Sequence, residues 1–175
     1  MYLADFFKKQ KINRDPILLD ELDKLKKLRN KISAVITTNY DTFLEEHVFS
    51  NDFKVFVRQH ELFSADSYDI AEIYKIHGSA TDAESIIITQ SDYVQFKESR
   101  KLIIAKMLTL FAEAPIIFMG YSFTDDDVRE IIEEFLSCLS KEQLADIRKH
   151  FVFISYKKNE NNLIEIERTI TTKNG

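Results

Sequence analysis

Three short segments carry residue types that can do chemistry. In Thr37-Thr38-Asn39-Tyr40-Asp41, Asn39 offers an amide that can hold a water or a hydroxyl in place. Asp41 offers a carboxylate that can accept from an amide N–H of a ligand. Both types also favour turns and helix caps, so by spacing alone the segment reads either way. His77-Gly78 is the second segment. An unperturbed imidazole titrates near neutral pH and suits a general base, while a histidine capping a strand is the plainer reading. Gly78 lets the chain turn sharply and is expected to leave the imidazole open. The third is Gly120-Tyr121-Ser122, whose backbone N–H groups and hydroxyl can cradle a phosphate or a ribose. Glycine is used only three times and Gly175 is the last residue, so Gly78 and Gly120 are the two internal ones. Each follows an apolar run.

Other polar residues are read as structural. His47, His60 and His150 lack a comparable setting and are expected on surfaces or packed edges. The run Asp125-Asp126-Asp127 is explained by the preference for negative charge at a helix start, and no metal is expected there. Cys138 stands alone, which excludes a disulfide framework and a cysteine-based zinc site; it reads as a small filler on a helix.

The elements around these segments follow from periodicity. Met1 to Gln10 reads as a short amphipathic helix with Leu3, Phe6 and Phe7 on one side. Asp15-Pro16 gives an N-cap and a proline at the first helical position, followed by the stripe Ile17, Leu18, Leu22, Leu25, Leu28, with Asn30 able to end the helix. Ile32 to Ile36 reads as a buried strand, and Thr42 with Glu45 matches a capping box for a helix running to about Val48. Lys54–Arg58, Ile73–Ile76 and Ile86–Ile88 read as strands, the last followed by a helix start at Thr89 to Asp92. A helix from Arg100 to Glu113 carries Leu102, Ile103, Lys106, Met107, Leu110 and Phe111, and Pro115 breaks it. Strand Ile116–Met119, a helix with Val128, Ile131, Ile132, Phe135 and Leu139, a helix over 141–149 and strand Phe151–Ile154 complete the series. A polar tail follows, in which Leu163, Ile164 and Ile166 can form an edge element.

Strand and helix alternate, which predicts an α/β domain with a largely parallel sheet. In such sheets ligands bind beyond the carboxyl ends of the strands, and all three chemical segments fall at predicted strand ends. Length and composition fit one soluble globular domain: 175 residues, 45% apolar and 30% charged. A net charge of -5 argues against a global nucleic-acid-binding field. No apolar run approaches the roughly 20 residues of a membrane span, and no signal-peptide pattern opens the chain. The expected compartment is the cytoplasm.

The order of the motifs resembles a known family. Thr37 to Asp41 after a strand, then Lys75-Ile76-His77-Gly78, then Ile116 to Ser122, with Ile88 to Tyr93 as a further element, is similar to the sirtuin-like NAD-glycohydrolase domains of bacterial anti-phage defence. The resemblance runs from about residue 15 to about residue 155. It implies a Rossmann-like three-layer domain over 1–155, with helices on both faces of the sheet, and a tail over 156–175. It further implies that NAD is the substrate, with His77 and Asn39 as the catalytic pair. Asp41 then lies near the nicotinamide, Gly120, Tyr121 and Ser122 contact the ribose and phosphate region, and Thr38 and Gly78 complete the cofactor site. Defence subunits or further copies of the chain are the implied partners, beside NAD or ADP-ribose. Sirtuin deacylases resemble the same pattern but carry a four-cysteine zinc module, which one cysteine cannot supply. Family members also begin with a strand and a Gly-rich loop, and no glycine precedes Asn39 here. The chain is therefore expected to lack that first strand and phosphate loop. With them absent, a non-catalytic NAD or ADP-ribose sensor and an assembly module stay open as alternatives.

Overall fold

A computed structural model describes residues 2–9, 15–49, 52–64, 71–147 and 150–154; the tail and its suggested edge element lie outside them. The chain divides into two units, Met1–Ala105 and Lys106–Gly175. Helix α1 spans Tyr2–Lys8 and α2 spans Pro16–Lys27. Asp15 caps α2, accepting from the Ile17 N–H at 2.8 Å, with Pro16 at the first helical position as the sequence predicts. Strands β1 (Ala34–Thr37), β2 (Lys54–Phe56) and β3 (Glu72–Lys75) form a parallel sheet in the order β1-β3-β2. Helix α3 is Gln90–Ser99 and α4 is Lys101–Glu113. In the second unit β4 (Ile116–Met119) pairs in parallel with β5 (Phe151–Ile154). Helices α5 (Asp126–Ser137) and α6 (Lys141–Asp146) lie between them in sequence. Every named strand pairing is parallel, as expected for this α/β class.

The two-residue period of a strand decides what each sheet face carries. Val35, Ile73 and Val55 share one register row and pack with Leu18, Leu22 and Leu25 of α2. The next row turns to the opposite face, where Phe56 and Tyr74 stack at 5.2 Å and are fully buried. Lys75 follows and returns to the side of Ile73. In the second unit the alternation is sharper. Phe118 is buried and stacks on Phe153 at 4.6 Å, whereas Ile117, Met119, Val152 and Ile154 are exposed.

Several expectations are corrected. The α1 stripe is not a buried face: Leu3 and Phe6 are exposed, Ala4 is buried, and Phe7 meets Tyr40 at 5.4 Å. Ile17 of the α2 stripe and Leu28 at its C-cap are also exposed. The helix after Thr42 is a single π-helical turn, Leu44–Val48, with no capping box, since Glu45 turns inward to another partner. Ile86–Ile88 is not a strand. Its Ile87 N–H bonds the His77 carbonyl at 3.0 Å and its Ile87 carbonyl accepts from the Tyr40 hydroxyl at 2.7 Å, so it joins two turns rather than a ladder. Cys138 is exposed at the end of α5 rather than filling a core. No helix among the described residues is long and apolar enough to cross a membrane.

Candidate active site

The parallel register of β1 and β3 places Thr37 opposite Lys75. Asn39 and His77 each lie two residues beyond that pair, on neighbouring turns at one edge of one sheet. Two further bonds join the turns. The Ile76 N–H reaches the Thr37 carbonyl at 3.1 Å, and the Ala80 N–H reaches the Tyr40 carbonyl at 2.7 Å. Between those ties, the Asn39 N–H bonds the Thr37 hydroxyl at 3.1 Å, and the Asn39 side chain is exposed to solvent. Thr38 is half-buried beside it. Asp41 Oδ1 accepts from the Phe43 N–H at 2.9 Å, which closes the turn and starts the next one.

His77 occupies the middle of a tight turn closed by the Gly78 N–H on the Lys75 carbonyl at 3.1 Å. Its side chain is not open, contrary to the expectation from Gly78: His77 is 4% exposed, and its ring and that of Tyr93 from α3 stand nearly perpendicular with centroids 5.6 Å apart. Gly78 has a φ of +96°, and a Cβ there would sit 2.5 Å from the Ser85 carbonyl carbon and 2.7 Å from the Ile86 nitrogen. The glycine thus serves a close backbone approach.

Arg100 and Lys75 are buried cations that hold this edge, and no local pattern singles out either as such. Arg100, just past α3, donates Nη1 to the Val57 carbonyl at 2.8 Å and the Lys75 carbonyl at 3.1 Å, and Nη2 to the Ser85 carbonyl at 3.2 Å. Burial, with Arg58 nearby, pushes its pKa down to about 10, so it remains charged at neutral pH. Lys75, with a side chain 0% exposed, donates to Glu45 Oε1 at 2.7 Å and to the Asp41 carbonyl. The run Ile73-Tyr74-Lys75-Ile76 reads as a plain apolar strand, and Lys75 passes unnoticed in it because pairing across elements leaves no local pattern.

A second ion pair, Arg58 with Asp82, is more open. Arg58 Nη2 meets Asp82 Oδ1 at 2.9 Å. The Arg58 guanidinium holds the Asp82 carboxyl below its ordinary range. A carboxyl lowered on folding stabilises the fold above its unfolded value, near 3.9, and that contribution disappears as pH falls through the folded value. Asp82→Asn is therefore expected to flatten the acid limb of the stability profile, at a neutral-pH cost of at most about 1 kcal/mol because the pair is partly solvated. Urea melts between pH 2 and 7 test this; an unchanged acid limb in the variant contradicts it.

The third chemical segment lies in the second unit. Gly120, at the end of β4, has a φ of +64° and nothing within 4 Å of where a Cβ would stand, so the space over it is open. Tyr121 is half-buried, its ring 6.1 Å from that of Phe118 and its hydroxyl 3.4 Å from the Asp125 carbonyl. Burial raises its pKa well above the ordinary phenol value. Ser122 is exposed and its hydroxyl meets that of Thr124 at 2.8 Å. Phe123 has a φ of 62°, a conformation a bulky residue rarely adopts, and its ring packs 5.4 Å from Phe153. Asp125 caps α5 through the N–H groups of Asp127 and Val128, at 3.1 and 3.2 Å. Of the remaining histidines, His60 is exposed, His47 is half-buried, and His150 is half-buried with Nε2 against the Phe111 carbonyl.

A parallel sheet with polar turns at its carboxyl edge places the chain in the α/β class, in which ligands as a rule bind at that edge. Residues 33–172 match the family described as the SIR2-like domain, and the chain belongs to that family. It is 27% identical over 163 residues to the NAD(+) hydrolase ThsA of Bacillus cereus (strain MSX-D12), covering 86% of this chain and 33% of that protein. It is 26% identical over 124 residues to the NAD(+) hydrolase ThsA of Cytobacillus dafuensis, covering 70% of this chain and 24% of that one. Defense-associated sirtuin 2 of Bacillus subtilis is 28% identical over 103 residues, covering 56% of this chain and 10% of its own length. The chain thus spans between a tenth and a third of these relatives.

Proposed function

We propose that this chain carries the catalytic half of an NAD-hydrolysing site that releases nicotinamide and leaves ADP-ribose, in a defence setting. One observation carries the reading: the β1–β3 register sets Asn39 and His77 on adjoining turns at one sheet edge. The names of the related proteins supply the substrate. In the reaction the bond between nicotinamide and ribose breaks, and its electron pair leaves with the nicotinamide nitrogen. A water oxygen adds to the ribose carbon, which passes through an oxocarbenium-like state as in glycoside hydrolysis. Asn39 places the water or a ribose hydroxyl, and His77 takes the proton. Nicotinamide departs neutral, so no acid is required. Asp41 lies near the nicotinamide, Thr38 and Gly78 belong to the cofactor-binding set, and Gly120, Tyr121 and Ser122 are assigned to the ribose and phosphate region. The setting we propose is the cytoplasm, with further copies of the chain or other defence subunits as partners.

The burial of His77 favours a second reading, a non-catalytic NAD or ADP-ribose sensor on the same fold. Under the first reading, Tyr93, which is 38% exposed, must give way for substrate to reach the ring. The two readings separate in one assay, in which purified protein is mixed with NAD and free nicotinamide is followed. Turnover that falls by about a hundredfold or more in His77→Ala and in Asn39→Ala supports hydrolysis. Saturable ADP-ribose binding without turnover supports the sensor. Neither signal overturns both and leaves an assembly role.

A further inference from the structure

We propose that Lys75 and Glu45 form a positioning device that holds the Asn39–Asp41 turn at a set distance from His77. The proposal rests on the reading above, that this turn and His77 belong to one hydrolytic site. Lys75 ends β3, two residues before His77, and strand alternation turns it to the face that carries Ile73. On that face the turn Leu44–Val48 supplies Glu45. The side chains are 0% and 8% exposed, and Nζ stands 2.7 Å from Oε1. The same ammonium donates to the Asp41 carbonyl.

The energetics show what the pair is for. Taking an ammonium and a carboxylate out of water is costly, and apolar residues of similar volume often serve stability as well or better. What an apolar pair cannot supply is a directed bond to a carbonyl. Here that bond ends on Asp41, and the carboxylate of Glu45 holds the ammonium in place to make it. The backbone ties at Thr37 and Tyr40 hold the start and the middle of the turn, and Lys75 holds its far end. Displacing a positioned group by about 1 Å can cost on the order of a hundredfold in rate. Lys75 and Glu45 are therefore positioning residues that act through Asn39, without touching substrate.

The decisive variant is the double substitution Glu45→Met with Lys75→Met, which removes both charges and keeps side-chain volume. Three quantities are measured on the full chain: the melting temperature, amide exchange over residues 38–46, and nicotinamide release with kcat and KM resolved. The variant is expected to melt within a few degrees of the parent. Amide protection in the turn should fall about tenfold or more, the loss anticipated for a bond to a charged donor. In turnover, kcat should fall about a hundredfold with KM little changed. Glu45→Gln keeps an oxygen facing Nζ and should retain parental protection and turnover to within about threefold. The proposal is overturned if the double variant keeps parental protection, or if protection falls while kcat stays parental. It is also overturned if Glu45→Gln loses as much as the double variant. If the double variant does not fold, Glu45→Gln is compared with Glu45→Ala, which leaves no oxygen facing Nζ: protection kept in the first and lost in the second supports the proposal, and equal protection in both overturns it. If the parent protein releases no nicotinamide, the hydrolytic reading falls by itself, and the exchange measurement judges the positioning claim.

Discussion

Gly78→Ala is expected to destabilise the protein by roughly 3 kcal/mol or more, the sum of a strained backbone and an overpacked contact. Glycine adopts the φ of +96° without penalty, and alanine does not. The added Cβ would also press on the Ser85 carbonyl group and the Ile86 nitrogen, which are backbone atoms and cannot rotate away. Nor can that segment recede easily. The Ser85 N–H bonds the Asp82 carbonyl at 3.0 Å, its hydroxyl bonds the same carbonyl at 2.6 Å, and the Ser79 N–H bonds that hydroxyl at 3.0 Å. Gly120→Ala is the internal comparison. Its φ is also positive, but no atom stands within 4 Å, so only the backbone penalty of about 1 kcal/mol applies. Urea unfolding of both variants tests the contrast. Equal shifts in midpoint at unchanged slope contradict the account.

The second large effect is expected at Arg100. Arg100→Leu leaves the carbonyls of Val57, Lys75 and Ser85 without its guanidinium. A buried polar group that loses its partner costs about 1–3 kcal/mol. The Lys75 carbonyl still accepts from Gly78 N–H, so the total is expected at about 3 kcal/mol rather than the full sum. Arg100→Lys should recover only part of it, because an ammonium lacks the planar fork that reaches three acceptors at once. Arg100 and Gly78 both bear on Ser85, so their effects should not add: the double variant is expected to lose less than the sum of the singles by at least about 0.5 kcal/mol. Strict additivity, measured by urea unfolding, argues that the two act on separate parts of the fold.

Much of this edge was legible from residue types. Asp15-Pro16 reads as a helix start because a cap and its proline act within one turn of chain. Thr89 and Asp92 form their capping box for the same reason, and Asp125 caps α5. In the helical stripes Ile103, Met107 and Phe111, and Val128, Ile131, Ile132 and Phe135, are buried as their spacing predicts, whereas Leu102 is exposed. Failures came where a local pattern met a distant competitor. Thr42 with Glu45 reads as a capping box, yet Glu45 is taken by Lys75, 30 residues on, because a buried ammonium outbids a backbone N–H for a carboxylate. Ile86–Ile88 has strand composition, but its bonds go to the His77 and Tyr40 turns.

By itself the sequence determined the class of fold, the strand ends on which the chemical residues lie, and the family resemblance carried by motif order. Those properties depend on periodicity and on residues adjacent in the chain. The tertiary structure alone decided that Asn39 is exposed and His77 buried, that the Tyr93 ring meets the imidazole nearly at right angles, and that Lys75 and Arg100 clamp the turns around it. Those outcomes depend on the register between strands and on which distant groups meet, and neither leaves a mark at any single position in the chain.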